Sequence, residues 1–186
     1  YAFYAREGQL LRCNLSDTAS TGAVSSGDFT DADTTVLHYL GVNTSVKGLD
    51  DAAFRRCLSL GINRQSLVSG LLSGHAKAAQ FPISPASGDY PAALDAAYSY
   101  SAFEQAMSAA GLAEGNSVPL RMIVNSENSF KVAAARQIAA QLSAFDLKIE
   151  VEALAWEDYT AALDAGEFDL YYGEVKLTAD WDLRSL

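Results

Sequence analysis

The sequence predicts an α/β fold in which βαβ units form a mostly parallel sheet flanked by helices. Between residues 119 and 172, short apolar runs of strand length alternate with amphipathic runs of helical length. The connections between them are short, as right-handed parallel βαβ units require. Ahead of this region, residues 50–74 carry the caps and spacing of two consecutive helices.

Taken in order, residues 1–15 mix aromatic, apolar and polar positions around the turn Arg6-Glu7-Gly8-Gln9, which predicts a β-hairpin. Residues 16–34 are rich in Ser, Thr, Gly, Ala and Asp and predict a mobile surface loop. The chain therefore divides into an N-terminal hairpin and flexible loop, 1–35, and a lobe, 36–186. A strand is expected over 36–42, ended by Gly41 and the polar Asn43-Thr44-Ser45. Asp50 or Asp51 then caps a helix whose apolar face is Phe54, Leu58 and Ile62, and Asn63 caps a second helix through Leu72, stopped by Gly74. Pro82, Pro85 and Pro91 punctuate 76–97 too often for regular structure, so this stretch is expected to drape over the surface as a loop. A helix over 101–110 ended by Gly111, a strand over 119–124, a helix over 129–145 with Val132, Ile138 and Leu142 on one side, a strand over 147–154, a helix over 156–165 and a strand over 168–172 complete the series.

Composition narrows the function classes. The chain has 186 residues, 49% of them hydrophobic, enough for one sizeable core, and its mean hydropathy is near zero. Its net charge of -10, with basic residues scattered apart from the pair Arg55-Arg56, argues against nucleic acid and against a polybasic membrane contact. No apolar run approaches the ~20 residues that span a bilayer. The start at Tyr1, without Met, reads as an excised piece of a larger protein. Cys13 and Cys57, with His38 and His75 the only histidines, do not make a metal site. Two separate buried thiols are the expectation, with a disulfide as the alternative.

No Gly-rich phosphate loop, nucleophile elbow or His-Glu-x-x-His occurs, which disfavours an enzyme. Parallel sheets bind ligands beyond the carboxyl ends of their strands. That rule selects residues 125–128, Ala155-Trp156 and 174–182, which should lie along one edge. There Trp156 either presents its ring to the edge or packs between helix and sheet. Glu174 and Lys176 read as a solvated pair, and His38 as a packed strand residue. Asp180 and Asp182 flank Trp181, so charge pairing and apolar cover would meet at one place, as a cationic or amino-bearing ligand needs; taken alone the two carboxylates read as a turn or a helix cap.

One run is more specific. Tyr39-Leu40-Gly41-Val42-Asn43-Thr44-Ser45, Leu49-Asp50-Asp51 and the stretch from Phe54 through Arg55, Arg56 and Cys57 to Ile62-Asn63-Arg64-Gln65-Ser66-Leu67-Val68 resemble, in order and spacing, the extracellular solute-binding proteins of family 5, which serve peptide and nickel ABC transporters. Arg55 and Arg64 keep that family's two arginines, whereas Phe54, Cys57, Gly61 and Asn63 depart from its pattern. Trp156 with Tyr159 before Gly166-Glu167-Phe168-Asp169 is similar to its Trp-x-x-Tyr helix and Gly-x-Phe-Asp strand, and Ala179-Asp180-Trp181 to its Ala-Asp-aromatic stretch. The resemblance implies one lobe of a type II periplasmic-binding-protein-like fold, covering 36–182, with no cofactor and no catalysis. It implies an oligopeptide or small solute bound between two lobes that close on it, and an ABC permease as partner. The implied location is the extracellular face of the membrane or the periplasm, with a lipid anchor. It makes Asp180 the anchor of the solute's amino group and Trp181 a wall. A longer run between Phe168 and Asp180 than in the family leaves Asp182 as the alternative anchor. Trp156, Tyr39 and Glu174 complete the candidate ligand contacts. A hydrolase or transferase fragment, or a solute-sensing module, is the competing reading.

Overall fold

The computed structural model describes residues 34–94, 98–109, 119–143, 147–178 and 180. The hairpin and loop expected over 1–33, Cys13, Gly111, Phe145, Trp181 and Asp182 lie outside the described residues. The described elements are β1 (Val36–Val42), α1 (Ala52–Gly61), α2 (Arg64–Leu72), a 3-10 turn (Ala92–Leu94), α3 (Tyr100–Ala109), β2 (Leu120–Asn125), α4 (Ser129–Leu142), β3 (Ile149–Leu154), α5 (Trp156–Ala165) and β4 (Leu170–Lys176).

The strands form one sheet in the order β1-β4-β2-β3. The β2-α4-β3-α5-β4 series gives the parallel pairs β2–β3 and β2–β4, while β1 runs antiparallel to β4. Because successive strand residues point to opposite faces, the sheet separates two apolar clusters. Leu120, Met122, Val124, Leu170 and Tyr172 meet the helix layer of α1, α3 and α4 on one face, together with Phe54, Leu58, Phe103, Ile138 and Leu142. On the other face Ile123 meets Tyr159 and Ala162 of α5, with Phe168 and Tyr171 packed beside them. Burial on both faces is why β2 is a nearly unbroken apolar run.

Capping explains the helix starts. The Asp51 side chain accepts from the Ala53 N–H at 2.8 Å, and Asn63 accepts from the Ser66 N–H at 3.0 Å. Gln141 clips this helix pair to α4: its Oε1 accepts from the Asn63 N–H at 2.8 Å and its Nε2 donates to the Ser66 Oγ at 2.9 Å. The two arginines are structural. Arg55 Nη1 donates to the Leu49 and Asp50 carbonyls at 2.9 and 2.8 Å, and Arg64 donates to the Ser59 carbonyl and hydroxyl at 3.0 and 2.8 Å. Asn43, just past β1, donates to the Gly166 and Phe168 carbonyls at 3.1 and 2.9 Å, fastening β1 to the α5–β4 turn. At that turn Gly166 takes the left-handed φ of 68° that ends α5.

Several boundaries differ from the sequence reading. α2 ends on Ser73 at a left-handed φ of 52°, with Gly74 at 89° following rather than acting alone. β3 starts at Ile149, although Leu147 is buried. β4 starts at Leu170 and runs to Lys176, beyond the expected 168–172. Its start is late because Asp169 turns its carboxylate back to accept from the Arg121 N–H at 2.6 Å. Its end is late because residues 173–176 pair with β1. Loop 76–97 has only the 3-10 turn among its described residues and folds on itself, with the Phe81 and Tyr90 rings 5.8 Å apart and the Gln80 N–H donating to the Tyr90 hydroxyl. Cys57 is a free, buried thiol.

The β1–β4 pairing depends on two reciprocal cross-strand pairs, Tyr39 opposite Gly173 and Tyr171 opposite Gly41. Each ring lies over the opposite glycine: a Cβ on Gly41 would sit 1.9 Å from Tyr171 Cε1, and one on Gly173 would sit 2.5 Å from Tyr39 Cζ. The two rings meet edge to face at 5.6 Å. Gly41→Ala should therefore lower stability by about 1–3 kcal/mol through overpacking. Adding Tyr171→Ala should make the two losses less than additive, both read from urea unfolding midpoints.

Candidate functional site

The carboxyl ends of β2, β3 and β4 come together at one edge, and a run of hydrogen bonds ties the segments beyond β2 and β3 to each other. The Asn125 side chain accepts from the Glu127 N–H at 3.0 Å, holding the turn after β2. The Ser126 N–H donates to the Leu154 carbonyl at 2.7 Å, and the Trp156 N–H donates to Glu127 Oε1 at 3.2 Å, so the turn after β2 is fastened to the start of α5. Asn128 caps α4 by accepting from the Lys131 N–H at 3.2 Å. After β4, Leu177 is buried and its N–H donates to the Thr35 carbonyl at 2.9 Å, and Asp180 comes three residues later in an exposed turn.

Trp156 is 52% exposed, which overturns the alternative of an indole buried between helix and sheet. It is the first residue of α5, whose buried side is Tyr159 and Ala162, so its ring projects beyond the packed turn. Tyr159 below it donates from its buried hydroxyl to the Tyr172 carbonyl at 2.9 Å, and burial pushes its phenol up to about 12.

Glu174 and Tyr39 were expected in one ligand wall, but they belong to opposite faces of the sheet. Tyr39 shares a hydrogen bond of 3.2 Å with Tyr171, and burial followed by that bond raises its phenol pKa. Glu174 lies within β4 rather than after it, and it is not simply one half of a solvated pair with Lys176. Its Oε2 lies 3.1 Å from Lys131 Nζ of α4 and 3.6 Å from His38 Nε2 of β1. The extra length of β4 is the cause, since it sets Glu174 opposite His38 in the antiparallel register.

This cluster of His38, Lys131 and Glu174 escaped the sequence reading because strand pairing brings His38 to Glu174 and packing of α4 on the sheet adds Lys131. His38 packs against Phe130 and Tyr172, as a strand residue was expected to pack, and its Nδ1 is buried without a hydrogen-bond partner. Burial, aided by the Lys131 charge, holds His38 below the ordinary histidine value of 6.5 against the opposing pull of Glu174. Among the described residues, no three His, Cys, Asp or Glu side chains gather as a metal site needs, and no helix is long and apolar enough to cross a membrane.

The architecture is that of one lobe of a type II binding protein: a largely parallel sheet with one antiparallel strand, flanked by helices. Residues 6–182 match the family model described as bacterial extracellular solute-binding proteins, family 5 Middle. The chain belongs to that family, which is one of solute-binding proteins. It is 24% identical over 136 residues to the di/tripeptide-binding protein 3 of Pseudomonas aeruginosa (strain UCBPP-PA14), a match covering 72% of this chain and 26% of the relative. Among solved structures it is similar to the oligopeptide-binding protein AppA of Bacillus subtilis in complex with a nonapeptide, with a TM-score of 0.67 and 20% identity over 77% of this chain and 32% of that one. It is also similar to NikA of Brucella suis in complex with Fe(III)-EDTA, with a TM-score of 0.65 and 15% identity over 80% of this chain and 32% of that one. The chain thus spans about a quarter of the length of the curated relatives it matches.

Removing the Asn128 cap should cost about 1 kcal/mol, so Asn128→Ala lowers the urea midpoint while Asn128→Asp largely keeps it. His38 also makes stability depend on pH. Its folded value is depressed, so its contribution is full above 6.5 and falls as the pH drops from 6.5 through the folded value. Unfolding midpoints measured across that window should decline in the wild type and decline less in His38→Phe.

Proposed function

We propose that this chain supplies one lobe of the substrate-binding component of an ABC importer, which holds an oligopeptide or a related small solute between two lobes. The observation that carries this reading is the family match over 6–182, which includes the edge where the three parallel strands end. The names of similar proteins support peptides as the first solute class to test, since they include a di/tripeptide-binding protein and a nonapeptide complex. The complete protein works at the extracellular face of the membrane or in the periplasm, held by a lipid anchor, and delivers its solute to a permease without turning it over.

In this reading Asp180 takes the solute's amino group. It is exposed, it is three residues past the buried Leu177, and among the described residues no hydrogen bond or ion pair engages its carboxylate. Trp156, exposed beyond the end of β3 on the far side of β2, supplies an apolar wall. Trp181 is a further wall and Asp182 the alternative anchor by sequence. Glu174 and Tyr39 border the site from opposite faces, and their polar atoms are engaged by Lys131, His38 and Tyr171. A hydrogen bond between charged groups contributes about 1.5–3 kcal/mol, so Asp180→Asn in the complete protein should weaken binding of a peptide with a free amino terminus about 10- to 100-fold. An amino-acetylated peptide should lose little. Calorimetry showing equal affinity for wild type and Asp180→Asn would remove Asp180 from the anchor role.

A further inference from the structure

We propose that Glu174 is a positioning residue of the solute edge: by gathering Lys131 and His38 on one carboxylate oxygen, it locks β4 to the start of α4 and so fixes the turn that carries Glu127, to which the Trp156 N–H is fastened. This inference rests on the solute-binding reading for its functional consequence, although the lock itself is a feature of the fold.

The geometry is continuous from one strand end to the next. Glu174 Oε2 holds Lys131 Nζ at 3.1 Å, and the Lys131 N–H is in turn held by the Asn128 side chain at 3.2 Å. Glu127, next to Asn128, accepts from the Trp156 N–H at 3.2 Å. Displacing Lys131 therefore disturbs the first turn of α4, and through it the neighbouring attachment of Trp156. Lys131 is 17% exposed in its side chain, so water cannot readily replace Glu174 as its partner.

His38 makes this lock sensitive to acid. The charged and titratable groups facing it are Glu174, Tyr172 and, on the same face of β4, Lys176, together with Lys131 from α4; the ring is packed edge-on against Phe130. Neutral His38 directs Nε2 toward Glu174 and leaves Nδ1 as a buried acceptor without a donor. Protonation converts Nδ1 into a buried donor without an acceptor and sets a second cation beside Lys131. The imidazolium must then reorient or admit water, and it competes with Lys131 for the same carboxylate oxygen. The lock holds near neutral pH and loosens in acid.

The test is an NMR pH titration of the complete chain, following the His38 imidazole and the backbone amides of Lys131 and Trp156. In the wild type all three should move with one midpoint below 6.5. In Glu174→Gln the His38 midpoint should fall further, because the carboxylate that favours the imidazolium is gone, and the Trp156 amide should no longer follow it. Lys131→Met should raise the His38 midpoint, and Glu174→Asp should partly restore the common titration. A Trp156 amide that stays fixed while His38 titrates, or that follows His38 equally in Glu174→Gln, overturns the lock. Should Glu174→Gln fail to fold, Lys131→Met alone decides, since persistence of the coupling at Trp156 without the ammonium is equally fatal. In the complete protein, an alanine tripeptide should bind Glu174→Gln about tenfold more weakly than wild type near neutral pH, which corresponds to ~1.4 kcal/mol. If the tripeptide binds neither protein, the peptide reading fails while the amide titrations still judge the lock; equal binding to both overturns the positioning role.

Discussion

The arrangement of this lobe depends on one antiparallel contact, the pairing of β1 with β4. The parallel strands β2, β3 and β4 arise from neighbouring βαβ units, but β1 joins them across a separation of 132 residues between Tyr39 and Tyr171. Register is fixed there because each tyrosine ring fills the space above the opposite glycine, so a slip of one residue would turn ring against ring and move His38 and Leu40 to the wrong face. The contacts that β1 makes beyond its ladder depend on that register. His38 meets Glu174, and Thr35 receives the Leu177 N–H.

Polar side chains do a second kind of fastening. Asn43, Gln141, Arg55 and Arg64 each satisfy backbone or side-chain groups at element junctions. Asn43, Arg55 and Arg64 belong to the distinctive run from Tyr39 to Val68, and their contacts are with backbone and side-chain groups of the fold. An arginine folded onto carbonyls at the neighbouring turn stabilises that turn without needing a charged partner. At the strand ends, by contrast, Trp156 and Asp180 are exposed.

Local order was legible wherever the signal is local. Asp51 and Asn63 cap the helices as expected, β1 spans 36–42, α5 spans 156–165, and the alternation from 119 onward gave the parallel sheet. The end of β4 was not legible, because residues 173–176 are extended by a partner strand far away in sequence. A signal for that partner does exist: Tyr39-Leu40-Gly41 and Tyr171-Tyr172-Gly173 share Tyr-x-Gly, which in antiparallel pairing sets each tyrosine on the other's glycine. The role of Glu174 was missed for the same reason, since nothing near it in sequence points to Lys131 or His38. The aromatic character of Trp156 was visible, but its exposure was decided by its place in the first turn of α5.

The bond between Thr35 and Leu177 reaches beyond the sheet. It sets the residue before β1 and the residue after β4 one hydrogen bond apart, while three helices of the main core and both clusters lie between them in sequence. Loss of that one bond would free the amino end of β1 and the carboxyl end of β4 together, so the two strand ends fray as one unit although they lie at opposite ends of the described sequence.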